Sequence, residues 1–312
     1  MKVLITGGAG FIGTNFVRYW LQNHPEDKIS VLDKLTYAGR KENLQDILTK
    51  IKFIQGDICH KEIVSFAMEE CKRVFHFAAE SHVDRSISSA EDFVKTNLYG
   101  TYTLLEAAKE QGVDQFIHIS TDEVYRSIPI GSFSENDPVN PSSPYSATKA
   151  GSDILALSYS KTYGLPVIVT RSSNNYGEYQ HSEKMIPHMI LNALNNKHLP
   201  VYGDGKNIRD WLHVRDNCAG IETVAQEGKI GEIYNIGSKN ELENIEVIQK
   251  ILKYLQKPDE LITYVKDRSG HDRRYSLNTD KINRLGWKPQ VPFDKGLEKT
   301  IAWYMKNRGG WI

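Results

Sequence analysis

The hydrophobic residues in the first half of the chain form short continuous runs, and stretches with helical periodicity separate them. We predict strands at Val3–Thr6, Ile29–Leu32, Lys52–Gln55, Arg73–Phe77, Gln115–Ser120 and Pro166–Arg171, and helices at Ile12–Asn23, Ile63–Glu70, Phe93–Gln111 and Tyr145–Tyr163. Runs that are apolar throughout are typical of parallel strands buried on both faces. The alternation therefore predicts an α/β fold built on a doubly wound parallel sheet.

This rhythm loosens after about Ser172, where turn-rich segments and shorter helices follow. One more core-like run, Ile233–Ile236, predicts that the chain returns to the first sheet before its last segment. We expect a dinucleotide-binding domain over 1–172, with a return segment near 210–237, and a smaller, intertwined substrate-binding domain over 173–312. The second domain would bind its ligand at the carboxyl ends of the strands.

Composition narrows the function classes. Hydrophobic residues make up 40% of the 312 positions, and Lys plus Arg balance Asp plus Glu at 39 each, so no net charge draws the chain to nucleic acid or to a membrane. No apolar run approaches the ~20 residues that span a bilayer, and the start lacks a signal peptide. Cys59, Cys71 and Cys218 are too scattered for a disulfide framework, and the histidines lack metal-ligand spacing. We expect a cytoplasmic protein without a metal.

A glycine loop indicates the ligand of the first domain. Gly7, Gly10 and Gly13 stand between the first predicted strand and the first helix, where glycine permits a tight turn and backbone N–H groups can approach a pyrophosphate. Asp33 ends the second strand, where a carboxylate accepts hydrogen bonds from ribose hydroxyls and repels a 2′-phosphate. The pattern predicts a Rossmann-type site for NAD rather than NADP, although the cation of Lys34 could soften that repulsion.

The candidate chemistry lies at the end of the strand Gln115–Ser120 and in the helix after it. Tyr145 and Lys149 are one helical turn apart, so the ammonium can stabilise a phenolate that removes a proton from an alcohol. Asp122 and Glu123 stand next to each other just after the strand. A hydride-transfer enzyme needs a single base, so two further carboxylates indicate additional proton transfers, such as the elimination of water from a sugar.

These residues resemble a known family. The glycine loop, His76–Ser81 and Tyr145-x-x-x-Lys149 are similar to the extended short-chain dehydrogenase/reductase family. Further stretches resemble its dTDP-glucose 4,6-dehydratases, and they are Leu32–Ala38, Ala78–Ile87, Ser120–Tyr125, Arg171–Gly177, Glu183–Pro187, Val201–Gly205, Arg209–Leu212 and Gly270–Asp272. The similarity extends from Met1 to about Trp303, and the Thr121-Asp122-Glu123 triplet is its most specific part.

The resemblance implies a mechanism. Tyr145 would take the proton of the sugar 4-hydroxyl while hydride passes from C4 to NAD. The C4 ketone would acidify the C5 proton, which Glu123 would remove as Asp122 protonates the departing 6-hydroxyl. Hydride would then return to C6, giving a 4-keto-6-deoxy sugar and regenerating NAD. Adjacent carboxylates can hold opposite protonation states, but the sequence does not say which of the two has the higher pKa.

The resemblance also implies which residues contact each ligand. The implied catalytic residues are Thr121, Asp122, Glu123, Tyr145 and Lys149. The expected cofactor contacts are Gly7, Gly10, Phe11, Ile12, Gly13, Asp33, Lys34, Thr36, Asp57, Ile58, Ala78, Ala79, Ser81, Thr96, Tyr145, Lys149 and Asn175. The expected substrate contacts are Ser81, Thr121, Asn174, Lys184, Arg209, Asn244 and His271. Arg274 is a further cationic candidate, because arginine and lysine suit a diphosphate. Relatives form homodimers through the Phe93–Gln111 and Tyr145–Tyr163 helices, so we expect a homodimer with Tyr99, Tyr102, Leu155 and Tyr159 as candidate contacts.

The chain departs from the family pattern just after Tyr125. The family has a glycine where this chain has Arg126, and the following Ser127–Gly131 segment is unusual, so the shape of this loop is open. Ser269 stands where the family commonly has proline, which predicts a slightly less rigid loop.

Other functions remain open at this point. A UDP-glucose 4,6-dehydratase would use the same residues, and a sugar-nucleotide 4-epimerase or decarboxylase shares the fold and the Tyr/Lys pair. Epimerases typically lack the adjacent Asp-Glu, because they only take hydride and return it. A non-catalytic NAD-binding regulatory module is the alternative from another class, but it would not need Glu123, Tyr145 or Lys149.

Overall fold

The computed structural model describes residues 1–268 and 270–307. Ser269, and with it the expected change in loop stiffness, lies outside the described residues, as does the end of the predicted second domain beyond residue 307. The strands are β1 (Lys2–Thr6), β2 (Lys28–Asp33), β3 (Ile51–Gln55), β4 (Arg73–His76), β5 (Gln115–Thr121), β6 (Val167–Ser172), β7 (Asn174–Tyr176), β8 (Leu199–Tyr202), β9 (Ile208–His213), β10 (Ile233–Ile236), β11 (Glu241–Glu243) and β12 (Ile262–Val265).

The α-helices are α1 (Phe11–Asn23), α2 (Lys61–Met68), α3 (Val83–Ser88), α4 (Glu91–Phe93), α5 (Thr101–Gln111), α6 (Pro144–Tyr163), α7 (Met185–Leu194), α8 (Val214–Glu227), α9 (Asn244–Leu255), α10 (Asp280–Asn283) and α11 (Phe293–Lys306). A π-helical segment, Val94–Gly100, joins α4 to α5 in one continuous helix, and 3-10 helical segments cover Lys41–Lys50, Asp122–Val124 and Asp259–Leu261. No described helix is both long enough and apolar enough to cross a bilayer.

Seven strands form one parallel sheet in the order β10-β6-β5-β4-β1-β2-β3. The sheet is doubly wound, because the chain moves outward from β1 in one direction through β2 and β3 and then in the other through β4, β5 and β6. The predicted fold class is therefore confirmed. The run Ile233–Ile236 adds the last strand beside β6, so the chain does return to this sheet.

The continuous apolar runs follow from burial on both faces. In β1, Val3 and Ile5 belong to a core with α1 and α8, whereas Leu4 points into a second core with α2, α5 and α6. Successive side chains of a strand point to opposite faces, so both sets must be apolar when helices cover both sides. Fully burying one such side chain contributes about 1.5–3 kcal/mol, and the layers are stable for this reason.

The remaining elements form a smaller unit beside the carboxyl ends of the large sheet. It contains a three-stranded sheet, β11-β9-β7, and the parallel pair β12-β8. Its own core includes Ile190, Trp211, Ile248 and Ile301. The short strand β7 follows β6 almost directly, so the chain passes from one unit into the other next to the site described below.

Candidate active site

The glycine loop between β1 and α1 closes as the sequence predicts. Gly7 has a φ of +70°, and a Cβ atom at this position would lie 2.6 Å from the backbone nitrogen of Ala78. A Cβ atom on Gly13 would lie 2.1 Å from the carbonyl oxygen of Gly7. Both positions need glycine for the loop to fold this tightly, which leaves the N-terminus of α1 open towards the cavity. This arrangement suits the pyrophosphate of a dinucleotide.

The carboxylate at the end of β2 is held by the backbone. Asp33 accepts hydrogen bonds from the N–H groups of Ala9 (2.9 Å) and Leu35 (2.8 Å). Burial raises the pKa of Asp33, and these two hydrogen bonds oppose the shift. The Lys34 ammonium lies 2.8 Å from Asp57 and forms an ion pair with it. Since this cation is already paired, it contributes little to attracting a 2′-phosphate.

One elongated cavity runs along the carboxyl ends of the central strands. All the residues predicted to contact the cofactor line this cavity, from Gly7 in the glycine loop to Asn175 in β7. The predicted catalytic residues Thr121, Asp122, Glu123, Tyr145 and Lys149 line it as well. Nothing in the residues present conflicts with NAD, because the tight loop, the Asp33 carboxylate and the reactive groups share one continuous space.

Local sequence signals place the Tyr/Lys pair. Ser143 caps the start of α6 and forms a capping box with Ser146, and Pro144 occupies the first turn, where its missing N–H is harmless. Tyr145 therefore lies on the first turn of α6 and Lys149 on the next, both buried. The Lys149 ammonium donates a hydrogen bond to the carbonyl of Ile119 in β5 (2.7 Å). Burial lowers the pKa of Lys149 to about 8.

Tyr145 meets the end of β5. Burial raises the pKa of Tyr145, the negative charge of Glu123 adds to this rise, and the Thr121 hydroxyl opposes it. Ionisation of Tyr145 therefore needs nearby positive charge. Each unit by which its pKa must fall requires about 1.4 kcal/mol of stabilisation of the phenolate.

The adjacent carboxylates have different surroundings. Burial raises the pKa of Asp122 well above its usual value, and the charges of Glu123 and Asp210 add to the shift. Its Oδ2 atom has no hydrogen-bond partner among the described residues. Burial among acids therefore favours the protonated form of Asp122.

Burial also raises the pKa of Glu123, but here cations oppose the shift, and they come from Arg268, Arg209 and Lys184. Both pKa values are raised, that of Asp122 more strongly, so Asp122 suits the role of the acid and Glu123 that of the base. The sequence left this order open.

A second cavity lies between the large sheet and the smaller unit. Lys184, Arg209, Asn244 and His271 line it, all predicted from the resemblance. Arg209 is held in place, since its guanidinium donates to the carbonyls of Ile208 (2.7 Å) and Asp272 (2.9 Å) and lies 4.3 Å above the Tyr275 ring. The two cavities meet where they share lining residues, which are Glu123, Asn174, Glu183 and Lys184.

Two predicted substrate contacts, Ser81 and Thr121, line the first cavity only. Arg274, predicted as a further cationic contact, lines neither of these two cavities. It forms a bidentate ion pair with Glu241 (2.7 and 3.0 Å) and donates to the carbonyls of Ile128 (3.1 Å) and Gly131 (2.9 Å). Its charge is used to hold the loop after Tyr125.

Arg268 lines the second cavity instead, and sequence reasoning missed it. It pairs with Asp84 at 3.2 Å. Its place just before Gly270-His271 was the available signal, but sequence alone gave no reason to prefer it to Arg274.

The loop after Tyr125, which departs from the family pattern, packs against the segment that carries Arg268 and Arg274. Ser127 Oγ accepts hydrogen bonds from the N–H groups of Arg273 and Arg274, both at 3.1 Å, and Ser127 N–H donates to Asp272 (3.2 Å). Arg126 has a φ of +110°, a conformation that favours glycine. The family glycine therefore corresponds to a real backbone requirement at this position.

The fold and the site together define an NAD-dependent enzyme of the extended short-chain dehydrogenase/reductase type. The sequence model for GDP-mannose 4,6 dehydratase matches residues 4–300. Low-salt glycan biosynthesis protein Agl12 of Haloferax volcanii is 51% identical, over 98% of this chain and 99% of its own. A dTDP-glucose 4,6-dehydratase of Streptomyces niveus is 48% identical, over 100% of this chain and 95% of its own.

A solved structure gives the same result. DesIV, the dTDP-glucose 4,6-dehydratase of Streptomyces venezuelae with NAD and dTDP bound, is 49% identical and has a TM-score of 0.98, covering 100% of this chain and 99% of its own. The chain therefore belongs to the GDP-mannose 4,6 dehydratase family of NAD-dependent hydro-lyases.

Proposed function

We propose that this chain converts dTDP-glucose into dTDP-4-keto-6-deoxyglucose with the loss of one water molecule. The observation that carries the proposal is the pair Asp122 and Glu123, which lines the same cavity as Tyr145 and Lys149. An enzyme that only moved a hydride would have no use for that pair. Relatives named for the same reaction are 47–48% identical over nearly their whole length.

The residues divide the proton transfers between them. NAD, when bound, accepts the hydride from C4 of the sugar and later returns it to C6. Tyr145 takes the 4-hydroxyl proton, with Thr121 orienting the same oxygen and Lys149 stabilising the phenolate. Glu123 removes the C5 proton, and Asp122 gives its own proton to the 6-hydroxyl so that water leaves. Glu123 then returns its proton to C5. Tyr145 releases the proton it took and Asp122 regains one through solvent, so every group is restored.

The cations of the second cavity support a substrate that carries a nucleotide diphosphate, because they can bind its phosphate oxygens. Arg209 is held with its guanidinium fixed, a geometry that suits bidentate binding of phosphate oxygens. Lys184 lies at the junction of the cavities and donates a hydrogen bond to the carbonyl of Ser81 (2.8 Å). We add Arg268 to this set in place of Arg274, because Arg268 lines the cavity. With these cations beyond Glu123, we expect the hexose to lie near Glu123 and the diphosphate further out.

The test is a product assay on purified protein. We expect incubation with dTDP-glucose to give a keto sugar, detected by its absorbance in alkali, with no net accumulation of NADH. UDP-glucose is the matched substrate, and faster turnover of it would contradict the assignment of the base. Conversion of the sugar to its 4-epimer would identify an epimerase. Retention of NAD without turnover of either substrate would identify a binding module.

We also propose that two copies associate through the outer face of the helix 91–111 and α6. The proposal is supported by apolar side chains exposed there, which are Val94 (48%), Tyr99 (53%), Tyr102 (42%) and Ile154 (57%). Two of the expected contacts face this chain's own interior, since Tyr159 is buried and Leu155 packs against the core. An apolar patch of this kind is typical of an interface.

A further inference from the structure

A buried ionic cluster lies where α6 packs on β5 and β6, one helical turn after Lys149. Asp153, on α6, is fully buried. Its carboxylate accepts a hydrogen bond from the Arg171 guanidinium (2.9 Å) and lies 3.2 Å from Nε2 of His118. Arg171 in turn lies 4.7 Å below the Tyr125 ring. The proton transfers described above use none of these groups, yet burying two full charges is costly unless they have a role or excellent partners.

Lys149 is the neighbour that gives the cluster a role. Asp153 follows it by one turn on the same face of α6, and the carboxylate is the anion that raises the Lys149 pKa against the effect of burial. Ser152 connects Lys149 with His118, because its hydroxyl donates to the Lys149 carbonyl (2.8 Å) and lies 3.1 Å from the His118 ring nitrogen.

The groups that face the cluster come from β4, β5, the Asp122–Val124 turn and the helix segment before α5. Burial and the Lys149 charge lower the pKa of His118 to about 4, so this imidazole is neutral near pH 7. Burial likewise lowers the pKa of His76, on β4, well below its usual value. The Asp122–Val124 turn presents its two carboxyl groups to Tyr145, whose pKa they raise. The helix segment before α5 presents the neutral Asn97, which donates to Thr148 (3.0 Å). Within this cluster Arg171 contacts Asp153 directly, and the charge of Asp153 also acts on Lys149.

We propose that Asp153 is a positioning residue for the reaction, because its carboxylate keeps Lys149 in the ammonium form while Arg171 competes for the same charge. The inference rests on the proposed function, in which the Lys149 ammonium stabilises the Tyr145 phenolate. Arg171 cannot lose its proton in the accessible pH range. Any change in the charge of the cluster therefore changes the protonation of Lys149 and not that of Arg171.

The sign of each substitution follows from this competition. The ammonium is lost as the pH rises through the pKa of Lys149, so the rate of the first hydride transfer falls on that side. Asp153→Asn removes the attraction, lowers the Lys149 pKa further and moves the high-pH limb of the rate to lower pH. Arg171→Met removes the competing cation and moves the same limb to higher pH. General damage to the core would not produce shifts of opposite sign.

A shift of the Lys149 pKa changes the rate most near that pKa. A downward shift of about one pH unit reduces the charged fraction of Lys149 at pH 8 from about one half to about one tenth. The rate at pH 8 then falls roughly fivefold relative to wild type, while the rate at pH 6 changes little.

The experiment follows the single-turnover appearance of bound NADH with dTDP-glucose as a function of pH, for wild type, Asp153→Asn and Arg171→Met. Thr170→Val is the matched control, since Thr170 is buried on the same strand as Arg171 but carries no charge, and its limb is expected to stay at the wild-type pH. If Asp153→Asn does not fold, Asp153→Asn/Arg171→Met removes both charges together, and its limb is expected below that of Arg171→Met alone. Opposite shifts, or this displacement in the double variant, support the inference.

Shifts in the same direction, or limbs that do not move in folded variants, overturn it. That failure is distinct from failure of the proposed function, in which the wild-type protein itself gives no keto sugar.

Discussion

The protonation of two adjacent carboxyl groups depends on what surrounds each side chain. Asp122 is buried beside other acids, whereas Glu123 faces cations from the smaller unit. Cations hold a carboxylate ionised, and burial among acids holds it protonated. One dipeptide can therefore supply both an acid and a base.

This difference predicts the phenotype of Glu123→Gln. The glutamine cannot accept the C5 proton, so we expect bound NADH to form after dTDP-glucose is added while keto-sugar release falls by roughly a hundredfold to ten-thousandfold. Rapid-mixing absorbance of NADH and the alkali assay measure the two steps separately. Tyr145→Phe is the control, because it should suppress both steps. Unchanged product formation by the Gln variant would exclude Glu123 as the C5 base.

A second residue-scale prediction concerns Arg126. Its φ of +110° is a strained conformation for any residue with a Cβ atom, and such strain costs on the order of 1–3 kcal/mol. Glycine removes the strain but adds about 0.5–1 kcal/mol of unfolded-state entropy. We expect Arg126→Gly to raise the free energy of unfolding by about 1 kcal/mol, measured by urea denaturation. Arg126→Ala removes the side chain and keeps the strain, so an equal gain in that variant would contradict the explanation.

At the scale of elements, two glycines of the nucleotide loop differ in how closely the backbone approaches them. A Cβ atom at Gly13 would lie 2.1 Å from the Gly7 carbonyl oxygen, whereas one at Gly10 would lie 3.3 Å from the same atom. We expect Gly13→Ala to force the loop and the start of α1 apart and to weaken NAD binding by on the order of a hundredfold, about 2.8 kcal/mol. Gly10→Ala should cost less than tenfold. Calorimetric titration with NAD measures both, and equal losses would show that the close approach at Gly13 is not the cause.

The elements of the large sheet could be predicted from the sequence because each strand is buried on both faces and so reads as a continuous apolar run. The smaller unit could not, since its strands are short and several are partly polar, such as β11 (Glu241–Glu243). The surroundings of Arg274 could not be predicted for a related reason. Arg274 lies beside Ile208 through an isolated bridge, and its partner Glu241 comes from a distant strand, so its orientation depends on long-range pairing. Local sequence does not encode that pairing.

At the scale of the whole molecule, one site is assembled from two units. The large sheet supplies the nucleotide loop and the proton-transfer groups, and the smaller unit supplies cations that lie beyond Glu123. Direct contacts join the two units across the second cavity, since Asp84 of α3 contacts both Arg268 (3.2 Å) and Tyr202 (3.3 Å). The charge of Glu123 thus depends on a unit to which it does not belong.

The exposed face of the helix 91–111 and α6 gives the prediction for assembly. Tyr99 and Ile154 are 53% and 57% exposed there, so covering the exposed half of each with a second copy would contribute about 0.8–1.5 kcal/mol. We expect the wild-type chain to sediment as a dimer and Tyr99→Glu/Ile154→Glu to raise the dissociation constant at least a hundredfold, since glutamate on both copies places like charges in an apolar contact. Tyr264→Glu is the matched control, because Tyr264 is 58% exposed on β12 of the smaller unit. A wild-type monomer, or equal weakening by Tyr264→Glu, would show that this face is not the interface.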